Sequence, residues 1–239
     1  SDSPELYEAE ILEGPTQRLT ARYGQPVIVK EEIRPTGIIH TPAGETVIDM
    51  GQNMAGFVRF SVDEPKGVKI HMQFGEVLQD GNFYRDNLRT AKAEFTYISD
   101  GIAKDVQPHF TYYGFRYVKV EGFTKEISTE QFTGCVLYSD LEQTGWITTN
   151  NDKVNQLIQN AMWGQKCNYV DIPTGCPQRD ERMGWTADTQ VFSGTACFNM
   201  DSYNFLRKFS HDLYETQQEY GHVTSVIPAF HENGPTCSV

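Results

Sequence analysis

The chain has no apolar run near the roughly twenty residues that a membrane-spanning helix needs, and no surplus of positive charge. Its 20 Lys and Arg stand against 32 Asp and Glu, a formal net charge of -12. Phosphate backbones are bound by basic surfaces, so neither nucleic acid nor a membrane is the expected partner. The acidity itself is read as a solubility feature. Cysteine is scarce and odd in number, with Cys135, Cys167, Cys176, Cys197 and Cys237 and no Cys-x-x-Cys pair. That pattern argues against a disulfide framework and a zinc cluster, and leaves free thiols, most of them buried, as the expectation. The six histidines lack His-Glu-x-x-His or any similar ligand spacing, so no metal is expected. There is no P-loop, no Gly-x-Gly-x-x-Gly and no Gly-x-Ser-x-Gly, and no cofactor is expected. The chain opens SDSPELYEAE, without an initiator Met or a signal sequence, and that opening fixes no compartment.

Apolar and aromatic residues are present in quantity. At 38% hydrophobic and 12% aromatic, 239 residues can fill one large domain or two modest ones. Residues 1–25 are polar and read as a lead-in with room for one strand. From Pro26 to about Asp140 the pattern is that of strands. Val27 to Ile33 alternates, Thr46 to Asp49 precedes a Gly-Gln-Asn turn, and Phe57 to Val62 and Val68 to Phe74 follow with period two. Turn residues at 42–44, 64–67, 79–81 and 99–101 separate these runs. Regular short strands so punctuated predict a β-sandwich over residues 26–145. The period changes near Asn150. Val154, Leu157, Ile158, Ala161 and Met162 trace one helix face, with Asn151 or Asp152 as N-cap. Pro173 and Pro177 impose a non-helical link. A second helix is predicted from near Asp180 toward Asn199. A third runs from Ser202 to Glu219, with Phe205, Leu206, Phe209, Leu213 and Tyr214 on its apolar side. Beyond Gly221 the chain reads as loop. Residues 146–239 thus read as the opening of an all-α domain, whose uncovered apolar faces invite self-association.

The segment Asp171 to Phe192, DIPTGCPQRDERMGWTADTQVF, carries the most chemistry. With Asp180 at a helix start, Glu181, Trp185 and Asp188 fall at i, i+4 and i+7 on one face. An apolar ring beside a carboxyl group disfavours its ionised form, which suits a proton donor. An indole also offers a platform to the C–H face of a sugar. Arg179 and Arg182 can pair with carboxylates or with sugar hydroxyls. The same residues equally describe a solvated, ion-paired helix start with Asp180 as N-cap and Trp185 in the core. The run Asp86 to Lys92, DNLRTAK, reads as a solvated turn, with a rim loop as the alternative. His231 and Glu232 form an adjacent pair of little weight. A carbohydrate-binding sandwich using Tyr84, Tyr112 or Tyr113 as platforms is a further alternative, as is a purely structural sandwich.

CPQRDERMGWTAD, Cys176 to Asp188, closely resembles the signature at the start of the catalytic domain of inverting bacterial-type α-L-rhamnosidases. Four upstream blocks fit the same family in order: Ile48 to Phe60, Phe74 to Tyr97, His109 to Phe123 and Leu137 to Asn151. The resemblance implies a β-sandwich followed by the first helices of an (α/α)6 barrel, and hydrolysis of terminal α-L-rhamnosyl residues with inversion. It implies Glu181 as general acid and Trp185 as a wall of the sugar pocket, with Asp180 and Arg179 beside it and Asp188 in support. The implied partner is a rhamnose-containing oligosaccharide or glycoside, and an enzyme of this kind suits a periplasmic or extracellular setting. Two departures stand out. The family commonly has an aspartate before the Cys-Pro-Gln-Arg run, where this chain has Gly175, so another deoxysugar is conceivable. The family's general base is a glutamate late in the barrel, expected beyond Val239, so the 239-residue chain alone is expected to be essentially inactive.

Overall fold

The computed structural model describes residues 10–14 and 19–229. His231, Glu232 and Cys237 lie outside the described residues. Ten strands come first: β1 (Val27–Ile33), β2 (Gly37–His40), β3 (Thr46–Val62), β4 (Lys69–Gly75), β5 (Val77–Gln79), β6 (Asn82–Tyr84), β7 (Glu94–Ile98), β8 (Lys104–Val106), β9 (Tyr113–Glu121) and β10 (Phe132–Ser139). Then come α1 (Asp152–Asn168), β11 (Tyr169–Val170), β12 (Ile172–Pro173), β13 (Gly184–Trp185), α2 (Thr186–Asn199), α3 (Tyr203–Tyr220) and β14 (Val226–Ile227). A mostly-sheet domain is therefore followed by three helices. No strand occurs among the described residues of the lead-in. Its end instead packs on the helical part, with Arg22 paired to Asp171 between β11 and β12 at 2.5 Å and Tyr23 stacked on His211 of α3.

Eight strands form one antiparallel network in the order β1-β10-β3-β9-β4-β7, with β2 and β8 also paired to β3. The expected sandwich strands are thus hydrogen-bonded together rather than split into two separate sheets. The reason is β3, 17 residues long. The predicted Gly-Gln-Asn turn does not end a strand there. It is a bulge inside β3, where the register against β9 shifts between Asp49 and Met54. Gly51 adopts φ 75°, a left-handed conformation that favours glycine, and its N–H donates to Asp49 Oδ1 at 2.7 Å. Arg116 of β9 grips the same carboxylate through Nε and Nη2 at 2.8 and 2.9 Å. Strand β3 can therefore pair with β2 before the bulge and with β10 after it.

The inward residues of this sheet, among them Phe60, Phe74, Phe115 and Phe132, are fully buried. Their cluster continues without a break into Met162 of α1, Ala196 of α2 and Phe205 of α3. Helix α1 starts as the sequence predicts, with Asn151 Oδ1 accepting from the N–H groups of Lys153 and Val154. A buried amide ties the three helices together. Gln165 donates to the Ala196 carbonyl and the Ser202 hydroxyl, and accepts from Asn199 Nδ2. In α3, Phe205 and Phe209 are buried, whereas Tyr214, expected on the apolar side, is exposed. Of the described thiols, Cys135 and Cys167 are buried, Cys176 is partly covered and Cys197 is exposed, so burial holds for only two of the four. The stretch after Gly221 is not all loop, because β14 pairs with β13.

Candidate active site

The predicted start of the second helix at Asp180 is overturned. Helix α2 begins at Thr186, and the stretch carrying Arg179, Asp180, Glu181 and Arg182 is irregular. The cause is Arg182, whose φ of 55° is incompatible with a right-handed helix. Its side chain holds the loop in this shape. Nε donates to the Pro177 carbonyl at 2.9 Å, Nη2 donates to the Tyr112 carbonyl at 2.6 Å, and the guanidinium lies 3.9 Å from the centre of the Tyr112 ring. The far end of the loop is fixed by the β13–β14 pairing and by Thr186, whose N–H donates to the Ser225 carbonyl at 3.0 Å. Tyr112 belongs to the sheet domain, so the loop is docked where the two halves of the chain meet.

Glu181 and Trp185 do come together, though by a route other than helical spacing. The indole Nε1–H donates to Glu181 Oε1 at 2.5 Å, and the Met183 N–H donates to the same oxygen at 2.9 Å. The contact is the polar edge of the indole, not the apolar face the spacing suggests. The second oxygen, Oε2, is buried without a hydrogen-bond partner. Cys176 sits alongside, its thiol pushed up by burial and then by the Glu181 carboxylate, with Arg179 acting in the opposite sense. Burial likewise pushes the Tyr112 hydroxyl up, against the pull of Arg182. Arg179 is half-buried, with Nε enclosed and unpartnered.

Asp180 turns toward the sheet domain. It pairs with Arg89 Nε at 2.7 Å and accepts from the Thr90 hydroxyl. The Thr90 hydrogen bond first, and then the Arg89 charge, hold its carboxyl below the usual aspartate range. Arg89 and Thr90 belong to the DNLRTAK run. That run is therefore tied to the site loop, with Leu88 buried beneath it, and is not the free solvated turn its composition suggests. A cleft of about 340 Å³ is lined by Thr111, Tyr112, Arg179, Asp180, Glu181 and Arg182. Asp188 stands apart from these, exposed in the first turn of α2. It lines a neighbouring groove of about 600 Å³ between α1 and α2, together with Asn168, Thr174 and Gly175. The cleft thus gathers Glu181, Arg179 and Asp180, with Trp185 bonded to Glu181, and leaves Asp188 next door. Among the described residues, no group of three or more His, Cys, Asp or Glu is placed to hold a metal ion.

Sequence reasoning named Tyr112 only as a sugar platform and Arg89 and Thr90 only within a turn or rim loop, and missed the contacts of all three with the site loop and the clamping role of Arg182. No local signal marks them, since Thr90 meets a partner 90 residues away and Arg182 one 70 residues away. Two of the proposed sugar platforms are already covered. Arg182 lies on the Tyr112 ring, and Tyr113 is buried with its ring stacked 3.9 Å from that of Phe74.

Residues 39–138 match the bacterial alpha-L-rhamnosidase concanavalin-like domain, and residues 142–238 match the bacterial alpha-L-rhamnosidase six-hairpin glycosidase domain. An alpha-L-rhamnosidase of Streptomyces avermitilis is 39% identical over 215 residues, 89% of this chain and 21% of that protein. One of Formosa agariphila is 40% identical over 201 residues, 82% of this chain and 22% of that protein. The crystal structure of the Streptomyces avermitilis enzyme complexed with L-rhamnose superposes with a TM-score of 0.87 at 39% identity, over 90% of this chain and 21% of that one. The native enzyme from Aspergillus terreus gives 0.90 at 38% identity, over 94% and 26%. The chain spans about a fifth of the length of the curated relatives it matches. Two consecutive domain matches, relatives near 40% identity and the shared fold agree, and the chain belongs to the bacterial α-L-rhamnosidase family.

Proposed function

We propose that this chain is part of a longer inverting α-L-rhamnosidase, with residues 26–145 as its sheet domain and residues 146–239 as the opening of its (α/α)6 catalytic barrel. Glu181 is the general acid that protonates the leaving oxygen of a terminal α-L-rhamnoside. Trp185 walls the sugar pocket, Arg179 and Asp180 form its rim toward the sheet domain, and Asp188 supports it from the adjoining groove. The observation that carries this reading is the Glu181 carboxyl, fixed by a backbone N–H and an indole N–H in a cleft between the domains. A proton donor must be held in place to act, and two donors on one oxygen hold it. That the Streptomyces avermitilis relative was solved with L-rhamnose supports the choice of sugar.

An inverting glycosidase needs a second carboxylate, about 6.5–9.5 Å from the first, to activate water. Asp180 shares the cleft with Glu181 but is engaged by Arg89 and Thr90. Following the family resemblance, the base is assigned to a barrel glutamate outside these 239 residues, and the 239-residue chain alone is expected to hydrolyse nothing. The test uses the full-length protein on an aryl α-L-rhamnoside, with proton NMR following the anomer released. Glu181→Gln is expected to lower kcat by about 10²–10⁴-fold, with the inverted sugar appearing first in the wild type. A wild type inactive on rhamnosides, an unaffected Glu181→Gln variant, or first release of the retained anomer would each defeat the proposal.

A further inference from the structure

Gly175 stands exposed at the edge of the groove that Asp188 lines, and its Cα faces the Glu181–Trp185 pair. A Cβ placed there would lie 2.9 Å from Trp185 Cδ1, 3.3 Å from Nε1 and 3.7 Å from Glu181 Oε2. The first distance is shorter than side-chain contacts allow. The indole is therefore lying across a bare Cα, and it reaches Glu181 from that seat. The bond it makes there is short, 2.5 Å, and places Nε1 on the same oxygen as the Met183 N–H. In this chain a Cβ at position 175 requires a shift of the indole or of the backbone beside it, and either shift changes the Nε1–Glu181 bond.

We infer that Gly175 is a positioning residue: its missing side chain seats the Trp185 indole so that Nε1–H fixes the carboxyl of Glu181. Gly175 itself touches no reacting atom and acts through Trp185. This rests on Glu181 being the general acid, but the seat can be tested without that assumption. Gly175 has no left-handed φ, and the crowding that an alanine would meet comes from the Trp185 side chain rather than from backbone, so Gly175→Ala tests the seat itself.

The experiment compares wild-type and Gly175→Ala full-length protein, labelled at the tryptophan indole nitrogens, with Trp185→Phe used to assign the resonance. An N–H bonded to a carboxylate resonates downfield of a free one. Gly175→Ala is expected to move the Trp185 Nε1–H signal upfield while leaving the unfolding temperature nearly unchanged. The kinetic arm uses two α-L-rhamnosides, one with an alkyl leaving group and one with dinitrophenolate. The alkyl substrate needs protonation and the activated one does not. Gly175→Ala is expected to lower kcat about tenfold on the first and less than about twofold on the second. An unmoved indole resonance overturns the seat. A moved resonance with equal losses on both substrates overturns its role in aiming the acid. A wild type that cleaves neither substrate removes the rhamnosidase reading and with it the catalytic half of the inference, while the resonance still decides the seat.

Discussion

Arg182 governs the site's geometry more than its place in a run of charges suggests. It accepts a left-handed backbone, which costs a non-glycine residue on the order of 1 kcal/mol, and offsets that with two hydrogen bonds to carbonyls and a stacked ring. Lysine keeps the charge but has neither the planar fork nor the stacking surface. Arg182→Lys is expected to lower stability by about 1–3 kcal/mol in denaturant unfolding of the 239-residue chain. On the proposed reading of the neighbouring Glu181 as general acid, it should also slow rhamnoside hydrolysis by the full-length protein. A variant as stable as the wild type would mean that the clamp does not hold the loop. Glu181 and Trp185 were legible as a pair from their residue types and nearness. Their geometry was not, because the contact that sets it runs from Arg182 to Tyr112 across the domain junction. Asp180 misleads in the same way: in sequence it resembles an N-cap, while its partners are Arg89 and Thr90 of the sheet domain.

At the scale of elements, the bulge of β3 is the feature with a titratable anchor. Asp49 is held by two bonds from Arg116 and one from the Gly51 N–H. The Arg116 hydrogen bonds, against the effect of burial, keep its carboxyl below the usual aspartate range. A carboxyl depressed in the folded state stabilises above its ordinary pKa, and that contribution is lost as pH falls through the lowered value. Asp49→Asn should therefore cost about 1–3 kcal/mol at neutral pH. The gap from wild type should shrink on acidification below about pH 4. Unfolding free energies of both proteins between about pH 6 and pH 2.5 would check this, and a pH-independent gap would show that the charge is not what anchors the bulge. Strand and helix existence was legible because alternation over Phe57–Val62 and the Asn151 cap are local signals. The continuity of β3 was not. Gly51, Gln52 and Asn53 have the composition of a turn, and only pairing with β9 keeps them in one strand. The start of α2 was misplaced because helix propensity in the charged run yielded to the Arg182 clamp.

Over the whole molecule, one hydrophobic cluster joins the sheet to all three helices, so the two domains fold against each other rather than as beads. The opposite sides of α1 and α2 remain uncovered: Leu157 is 67% exposed, Val191 86% and Phe198 49%. Exposed apolar side chains on neighbouring helices favour association where they act as one patch. The net charge of -12 opposes it, because two like-charged copies repel over about 10 Å at 0.1 M salt and less as salt rises. The two effects predict a definite salt dependence. The 239-residue chain is expected to be more monomeric at low ionic strength and to gain mass with both protein concentration and salt, forming at least a homodimer through these helix faces. Light scattering across concentrations at low and at moderate salt measures it. Val191→Lys and Leu157→Lys place charge on the uncovered faces and should restore the monomer, without changing the unfolding temperature by more than a few degrees. A clean monomer in every condition would mean that the exposed residues are too scattered to act as one surface. Association unaffected by both lysines would place the contact elsewhere on the molecule.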